Sequence, residues 1–254
     1  MTGTIEIKHL NKTFDDEFCA IEDLSLTIAA GEFVSIVGTS GCGKSTLLRT
    51  IAGLEAPTGG EILCGGKPVH GTSPDRGLMF QEHALFPWLT VRKNVIFALK
   101  ASGRYGANGG SVGALLETAG LAEFADAYPH QLSGGMRQRA ALIRSLAVSP
   151  DVLLLDEPLG ALDSFTRMVL QDEIIRLWQA RGNTMVLITH DVDEAIYLSN
   201  RIIVMAPRPG RIAEIIDVPM GYPRNRGTSD FADLRKRLLK RLDFAAEVEQ
   251  EYYL

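Results

Sequence analysis

The feature that most constrains this chain is Gly38-Thr39-Ser40-Gly41-Cys42-Gly43-Lys44-Ser45, followed by Thr46, which fits G-x-x-x-x-G-K-[ST] in full. At ordinary residue usage such a fit arises by accident on the order of once in a hundred chains of this length. Its flanks remove most of that chance. Glu32–Val37 is dense enough in apolar residues to be a buried strand, and Lys44–Ala52 has helical periodicity with Gly53 placed as a C-cap. A glycine-rich loop between strand and helix can wrap tightly, so that backbone N–H groups aim at phosphate oxygens while the helix start adds its positive dipole end. Lys44 would neutralise the β- and γ-phosphates of a nucleotide, and the Ser45 hydroxyl would sit on Mg²⁺. Cys42 is read as filling a small-residue slot of the loop rather than as a redox switch.

The remaining sequence has to supply a sheet for that loop. Ile5–Phe14 and Leu24–Ile28 read as antiparallel edge strands, and Asp75–Gln81 as a further strand. Val152–Leu155, Met185–Thr189 and Ile202–Met205 continue a largely parallel sheet. From Glu82 to about Ser149 the pattern is helical, interrupted at Ser102–Gly113, where five glycines (103, 106, 109, 110, 113) predict a mobile surface loop. The expected organisation is one α/β domain over 1–254, with a nucleotide-binding core at about 1–81 and 150–220. A helical subdomain is inserted at about 82–149 and a helical extension follows at about 221–254. In that extension Phe231, Leu234, Leu238 and Leu242 form a stripe among Arg235, Lys236, Arg237, Lys240 and Arg241. Docking of the stripe on its own domain is favoured over membrane contact.

Composition narrows the function classes. The net charge of −5, with no basic block in the first 200 residues, argues against life on nucleic acid. Cys19, Cys42 and Cys64 have neither C-x-x-C spacing nor an even count, which fits a reducing cytoplasm and no metal site. The first residues lack the order of a signal peptide, and no apolar run reaches the roughly 18 residues of a membrane span. Any membrane role is therefore expected to come through a partner.

A second chemical signal is Asp151-Val152-Leu153-Leu154-Leu155-Asp156-Glu157-Pro158, an apolar strand that ends in two acids. Acids at the ends of parallel strands lie where open α/β sheets bind ligands. Asp156 would hold Mg²⁺ as a hard oxygen donor. Glu157, pointing the other way along the strand, would polarise an attacking water. Two solvated acids closing a strand is the bland alternative, and the complete phosphate loop outweighs it.

With Leu132-Ser133-Gly134-Gly135-Met136-Arg137-Gln138-Arg139 in view, the pattern resembles the ATP-binding cassette (ABC) family, whose LSGGQ segment this stretch is similar to. Ser133 is a good N-cap, and Gly134 and Gly135 leave the first helical N–H groups open, a second anion site. The resemblance implies a P-loop NTPase fold and further roles. Gln81 stands where the family has the glutamine that senses Mg²⁺ and the γ-phosphate. Gly160-Ala161-Leu162-Asp163 resembles the D-loop, and His190 in Leu187-Ile188-Thr189-His190-Asp191 the switch histidine. Phe14 stands where an aromatic stacks on adenine, though Phe18 lies nearby and either can be core. The family also implies a head-to-tail pair of subunits, ATP at one copy's Lys44 being capped by the other's Ser133 and Gly135. Glu157, His190 and Gln81 are then the hydrolytic set.

Within the family, three stretches resemble importers of the nitrate, sulfonate and taurine type. They are Ala84-Leu85-Phe86-Pro87-Trp88-Leu89-Thr90-Val91-Arg92, Asp191-Val192-Asp193-Glu194-Ala195-Ile196 and Met205-Ala206-Pro207-Arg208-Pro209-Gly210-Arg211-Ile212. This resemblance implies a transmembrane permease that Leu85, Phe86 and Trp88 would receive, unless they are buried in the helical subdomain. It also implies a solute-binding protein and a position on the cytoplasmic face of the membrane. Met136 departs from the family's usual Gln, and Glu82-His83 from its common Asp. A DNA- or ribosome-associated ABC ATPase would show two cassettes, a coiled-coil insertion or a basic surface. A P-loop kinase would leave the Ser133 segment without a purpose. The cargo is open between nitrate, taurine, other sulfonates, bicarbonate and pyrimidine precursors.

Overall fold

A computed structural model describes residues 3–14, 18–80, 85–160 and 162–251. Two compact units emerge, one from 1–72 with 182–254 and one from 73–181.

The first unit begins with β1 (Ile5–Phe14) and β2 (Phe18–Ile28), paired antiparallel from Ile5 opposite Ile28 to Phe14 opposite Phe18. Ile5, Ile7 and Leu10 of β1 and Leu24, Leu26 and Ile28 of β2 are buried. Alternation of this kind gives a sheet with one covered face, and the step from Ile7 to Leu10 is a bulge. β2 begins six residues before the Leu24 expected for it. In β3 (Phe33–Gly38) every residue is buried, as a strand covered on both faces requires. The phosphate-loop segment follows, and then α1 (Lys44–Ala52), which buries Leu47, Leu48 and Ile51. Gly53 ends α1 at φ 80°, its N–H bonded to the Arg49 and Thr50 carbonyls. The sequence reading missed β4 (Gly59–Cys64) and β5 (Lys67–Pro68), whose mixed polar and glycine content carries no alternation; β4 pairs antiparallel with β1.

The second unit opens with β6 (Arg76–Met79) and continues through α2 (Val91–Ala101), α3 (Tyr105–Asn108), α4 (Val112–Thr118) and α5 (Gly134–Ala147). β7 (Val152–Asp156), parallel to β6, and α6 (Ser164–Arg181) complete it. Val91, Val95 and Leu99 of α2, Leu115 and Leu116 of α4 and Ala140 and Ile143 of α5 share one apolar cluster. The four-residue spacing in α2 and the three-residue spacing in α5 build the stripes that meet there, with Val112 one turn before Leu115 and Leu116 in α4.

The glycine-rich stretch from Ser102 to Gly113 is not the open loop that its composition suggests. Arg104 bonds the Val148 and Ser149 carbonyls at 2.7 and 2.9 Å and pairs with Asp75, while the Asn108 amide reaches the Ala147 carbonyl at 3.2 Å. The segment thus closes the C-terminal end of α5, whose last carbonyls have no helical donors of their own. Gly106, Gly110 and Gly113 face open space, so the anchors are supplied by the residues between the glycines.

The chain re-enters the first unit as β8 (Thr184–Ile188), α7 (Val192–Leu198), β9 (Arg201–Ala206), β10 (Arg211–Asp217) and α8 (Ser229–Glu251). β3 lies between β8 and β9, parallel to both, and β10 joins β9 antiparallel. A parallel core with antiparallel edges is the expected fold class. α8 buries Phe231 and Leu238, and its Arg237 and Arg241 bind Glu214 of β10 while Arg235 meets Asp193 at 2.8 Å. The basic amphipathic helix is docked on its own unit.

Candidate functional site

In the first unit β3 delivers the chain to Gly38. A β-carbon there would lie 2.7 Å from the Cys42 Sγ and 2.8 Å from the Met205 carbonyl oxygen, so no larger residue fits the turn. Gly43 starts α1 at φ 92°, 2.7 Å from the Ala20 carbonyl measured from its own absent β-carbon. It has no side chain to cap the helix, and an uncapped helix start of this kind suits an anion.

Lys44, 8% exposed, donates to the Gly38 and Thr39 carbonyls at 2.9 and 2.7 Å and lies 3.7 Å from the Cys42 sulfur. Its ammonium forms the floor of the loop. The Cys42 thiol is pushed up chiefly by burial, with Lys44 pulling against that shift, so it remains a neutral small packing group. The Thr39 hydroxyl is buried without a hydrogen-bond partner among the described residues. A donor of that kind beside a lysine and an uncapped helix start fits a phosphorylated ligand. Ser40 is exposed, and Ser45 and Thr46 are half-buried in the first turn of α1.

His190 belongs to the same unit. It follows β8, whose extension bonds Thr189 N–H to the Ile36 carbonyl of β3 at 3.3 Å. Asp191 caps α7 by accepting from Glu194 N–H at 3.0 Å, and its own N–H donates to the Thr189 hydroxyl at 3.0 Å. The exposed His190 is thereby fixed between strand and helix, at the same sheet end as the phosphate loop. Phe14 is half-buried with the Lys12 ammonium 4.7 Å over its ring, and Phe18 opposite it is exposed. One Phe14 face is already covered by that cation.

The turn between β9 and β10 packs on the loop as well. Gly210 N–H donates to the Ala20 carbonyl at 3.0 Å, Glu22 N–H donates to the Gly210 carbonyl at 3.2 Å, and Arg208 extends toward Gly41. In the sequence this stretch carries only a mark of family branch. Its approach to a loop some 170 residues away leaves no local signal.

In the second unit the five buried residues of β7 end at Asp156, 8% exposed. Glu157 then turns at φ 46°, a left-handed conformation that an acid adopts only where the surroundings hold it, and its carbonyl accepts Gly160 N–H at 3.3 Å. Asp163 accepts Thr166 N–H at 3.0 Å at the start of α6, and chiefly that bond holds the carboxyl below the usual range.

Ser133 caps α5, accepting Met136 N–H at 3.3 Å. A β-carbon on Gly135 would lie 2.7 Å from the Thr166 methyl, while one on Gly134 would meet nothing. The starts of α5 and α6 therefore adjoin, and Gly134 leaves the capped helix end open. Gln81 lies outside the described residues, as does Ala161 of the D-loop segment.

Nearby, the Asn94 amide accepts Phe86 N–H at 2.9 Å and donates to the Phe86, Leu89 and Thr90 carbonyls, which shapes the turn before α2. On that turn Trp88 is 69% exposed, its ring 5.4 Å from Phe86, which also meets the exposed Phe97 edge-on at 4.7 Å. Leu85 packs instead against the helical core.

A family model described as ABC transporter matches residues 21–160. A Brucella abortus protein carrying a provisional name, ATP-binding protein, is 52% identical over 225 residues, 87% of this chain and 86% of that one. The aliphatic sulfonates import ATP-binding protein of Bacillus cereus is 41% identical over 249 residues, 97% of this chain and 98% of that one. Among solved structures, an ATP-binding cassette in a dimeric post-hydrolysis state bound to ADP and Pi superposes with a TM-score of 0.74. It has 32% identity, over 85% of this chain and 100% of that one.

Proposed function

This chain belongs to the ABC transporter family as an ATP-binding, ATP-hydrolysing subunit, and we propose that it energises uptake of a small sulfonate-class anion through a separate membrane permease. The observation that carries the cargo class is the 41% identity with a sulfonate importer's ATP-binding protein across 97% of this chain. No helix among the described residues is long and apolar enough to cross a membrane, which fits a subunit that borrows its membrane path from a permease.

The residue roles follow from phosphoryl-transfer chemistry, which needs positioning and charge neutralisation more than covalent help. The phosphate loop from Gly38 to Thr46 cradles the polyphosphate through backbone N–H groups, and Lys44 turns from the loop carbonyls to the β- and γ-oxygens. Glu157 accepts a proton from the attacking water as it adds to the γ-phosphorus, and the leaving ADP oxygen takes up the released charge. His190 steadies the γ-phosphate, and Gln81 reports its presence. Ser45, Asp156 and Gln81 offer the oxygen donors that a hard divalent cation prefers, and Mg²⁺ bound there would offset phosphate charge. In a head-to-tail pair, the cap at Ser133, Gly134 and Gly135 closes on the second copy's ATP and Asp163 lies beside it. Phe14 is the aromatic for adenine. Trp88 and Phe86 face the permease, with Leu85, partly buried against the helical core, at the edge of that surface.

The test is reconstitution of the chain with its permease and binding protein in vesicles. ATP hydrolysis is expected to rise when the binding protein carries an alkanesulfonate, and not with nitrate, bicarbonate or a pyrimidine. Stimulation by one of those others instead would replace the sulfonate assignment. Phosphate release without any acceptor separates the ATPase from a kinase.

A further inference from the structure

We infer that Arg208 is a second cation of the nucleotide site, reaching the polyphosphate from the β9–β10 turn, a contact that rests on the phosphate loop binding ATP. Two independent observations carry it.

The first is placement. Hydrogen bonds from Gly210 N–H to Ala20 and from Glu22 N–H to Gly210 seat the turn against the hairpin beside the loop. Two residues before Gly210, the Arg208 Nη2 lies 3.6 Å from the point that a β-carbon on Gly41 would occupy. Gly41 is the middle of the loop, with φ 78°. Lys44 holds the floor from inside, bonded to the Gly38 and Thr39 carbonyls. Arg208 brings its charge to the outer side. A triphosphate carries more negative charge than one ammonium offsets, and a guanidinium fork suits phosphate oxygens.

The second is backbone conformation. Arg208 has φ 22°, in the region that glycine occupies freely and L-residues avoid. A turn needing only that shape would be satisfied by glycine. The chain instead carries a long cationic side chain there, exposed to solvent, with its Nη2 beside Gly41.

The discriminating variant is Arg208→Gly, which suits the backbone and removes the whole side chain with its charge; Arg208→Ala and Arg208→Lys stand beside it. Binding of fluorescent ATP and ADP analogues is measured by anisotropy over a range of salt, together with the unfolding midpoint of the nucleotide-free protein. Arg208→Gly is expected to weaken both nucleotides about tenfold. Its salt dependence should flatten and its unfolding midpoint should not fall. Arg208→Lys should recover part of the loss. Affinities within twofold of wild type in Arg208→Gly would overturn the inference, and so would a loss matched by a lower unfolding midpoint. If wild type binds no nucleotide, the phosphate-loop reading fails first. If wild type binds and Lys44→Ala does not, while the Arg208 variants bind normally, the Arg208 inference alone fails.

Discussion

Gly210 and Cys42 meet so closely that a β-carbon on Gly210 would lie 2.3 Å from the Cys42 carbonyl oxygen and 2.8 Å from that of Ala20. Both neighbours are backbone, so neither can rotate away. Gly210→Ala must therefore push the turn off the phosphate loop or deform the loop itself. The expected cost is about 2 kcal/mol in urea unfolding, as for overpacked sites, with weaker ATP binding. Gly134→Ala, where an added carbon meets nothing, is the control and should unfold no more easily than wild type. Equal stability of the two variants would mean that the turn is not seated as described.

Glu157 offers a sharper chemical test. Its position directly after the buried β7, in a left-handed conformation, fixes the backbone that carries the side chain, and this does not depend on the side chain's charge. Glu157→Gln should keep that geometry and ATP affinity while turnover falls by about 10²–10⁴, the usual worth of a positioned base. The same variant should dimerise when ATP is present. Undiminished phosphate release would remove Glu157 from the base role.

The legibility of these features in the sequence follows their physics. The strand, loop and helix around Gly38 could be read because the glycines, the lysine and the apolar flanks are contiguous. β7 and its two acids were readable for the same reason. β4 and β5 were not, since Gly59, Gly60 and Glu61 break any alternation and the pairing partner of β4 lies some fifty residues earlier. The stretch from Ser102 to Gly113 was misread because glycine content reports backbone freedom and says nothing of anchors, which Arg104 and Asn108 supply to the end of α5. The approach of Arg208 to Gly41 was invisible, being a tertiary contact between segments that share no pattern.

Trp88 tests the permease-facing surface. Its exposure means that Trp88→Ser should change the unfolding free energy of the isolated chain by no more than about 0.5 kcal/mol. ATP binding should also be unchanged. In the reconstituted assembly, solute-stimulated hydrolysis should drop severalfold. Leu85→Ala should cost more stability, about 1 kcal/mol, because Leu85 is partly buried against the helical core. A Trp88→Ser chain that assembles and couples normally would take that residue off the interface.

The docking of α8 makes a pH-dependent prediction. Glu214 accepts from Arg237 and lies against Arg241, and chiefly the Arg237 bond holds the carboxyl below the ordinary range against the opposing effect of burial. A carboxylate depressed in the folded state adds stability above its unfolded pKa of about 4.3. That contribution is lost as pH falls through the lower folded value. Glu214→Gln should therefore be less stable than wild type at pH 7 by about 1 kcal/mol, the scale of partly exposed ion pairs. The difference should narrow as the pH drops below about 4 and vanish once the wild-type carboxyl is protonated. Urea unfolding of both proteins at pH 7, 5 and 3.5 measures it. A gap that stays constant with pH would show that shape, not charge, joins α8 to β10.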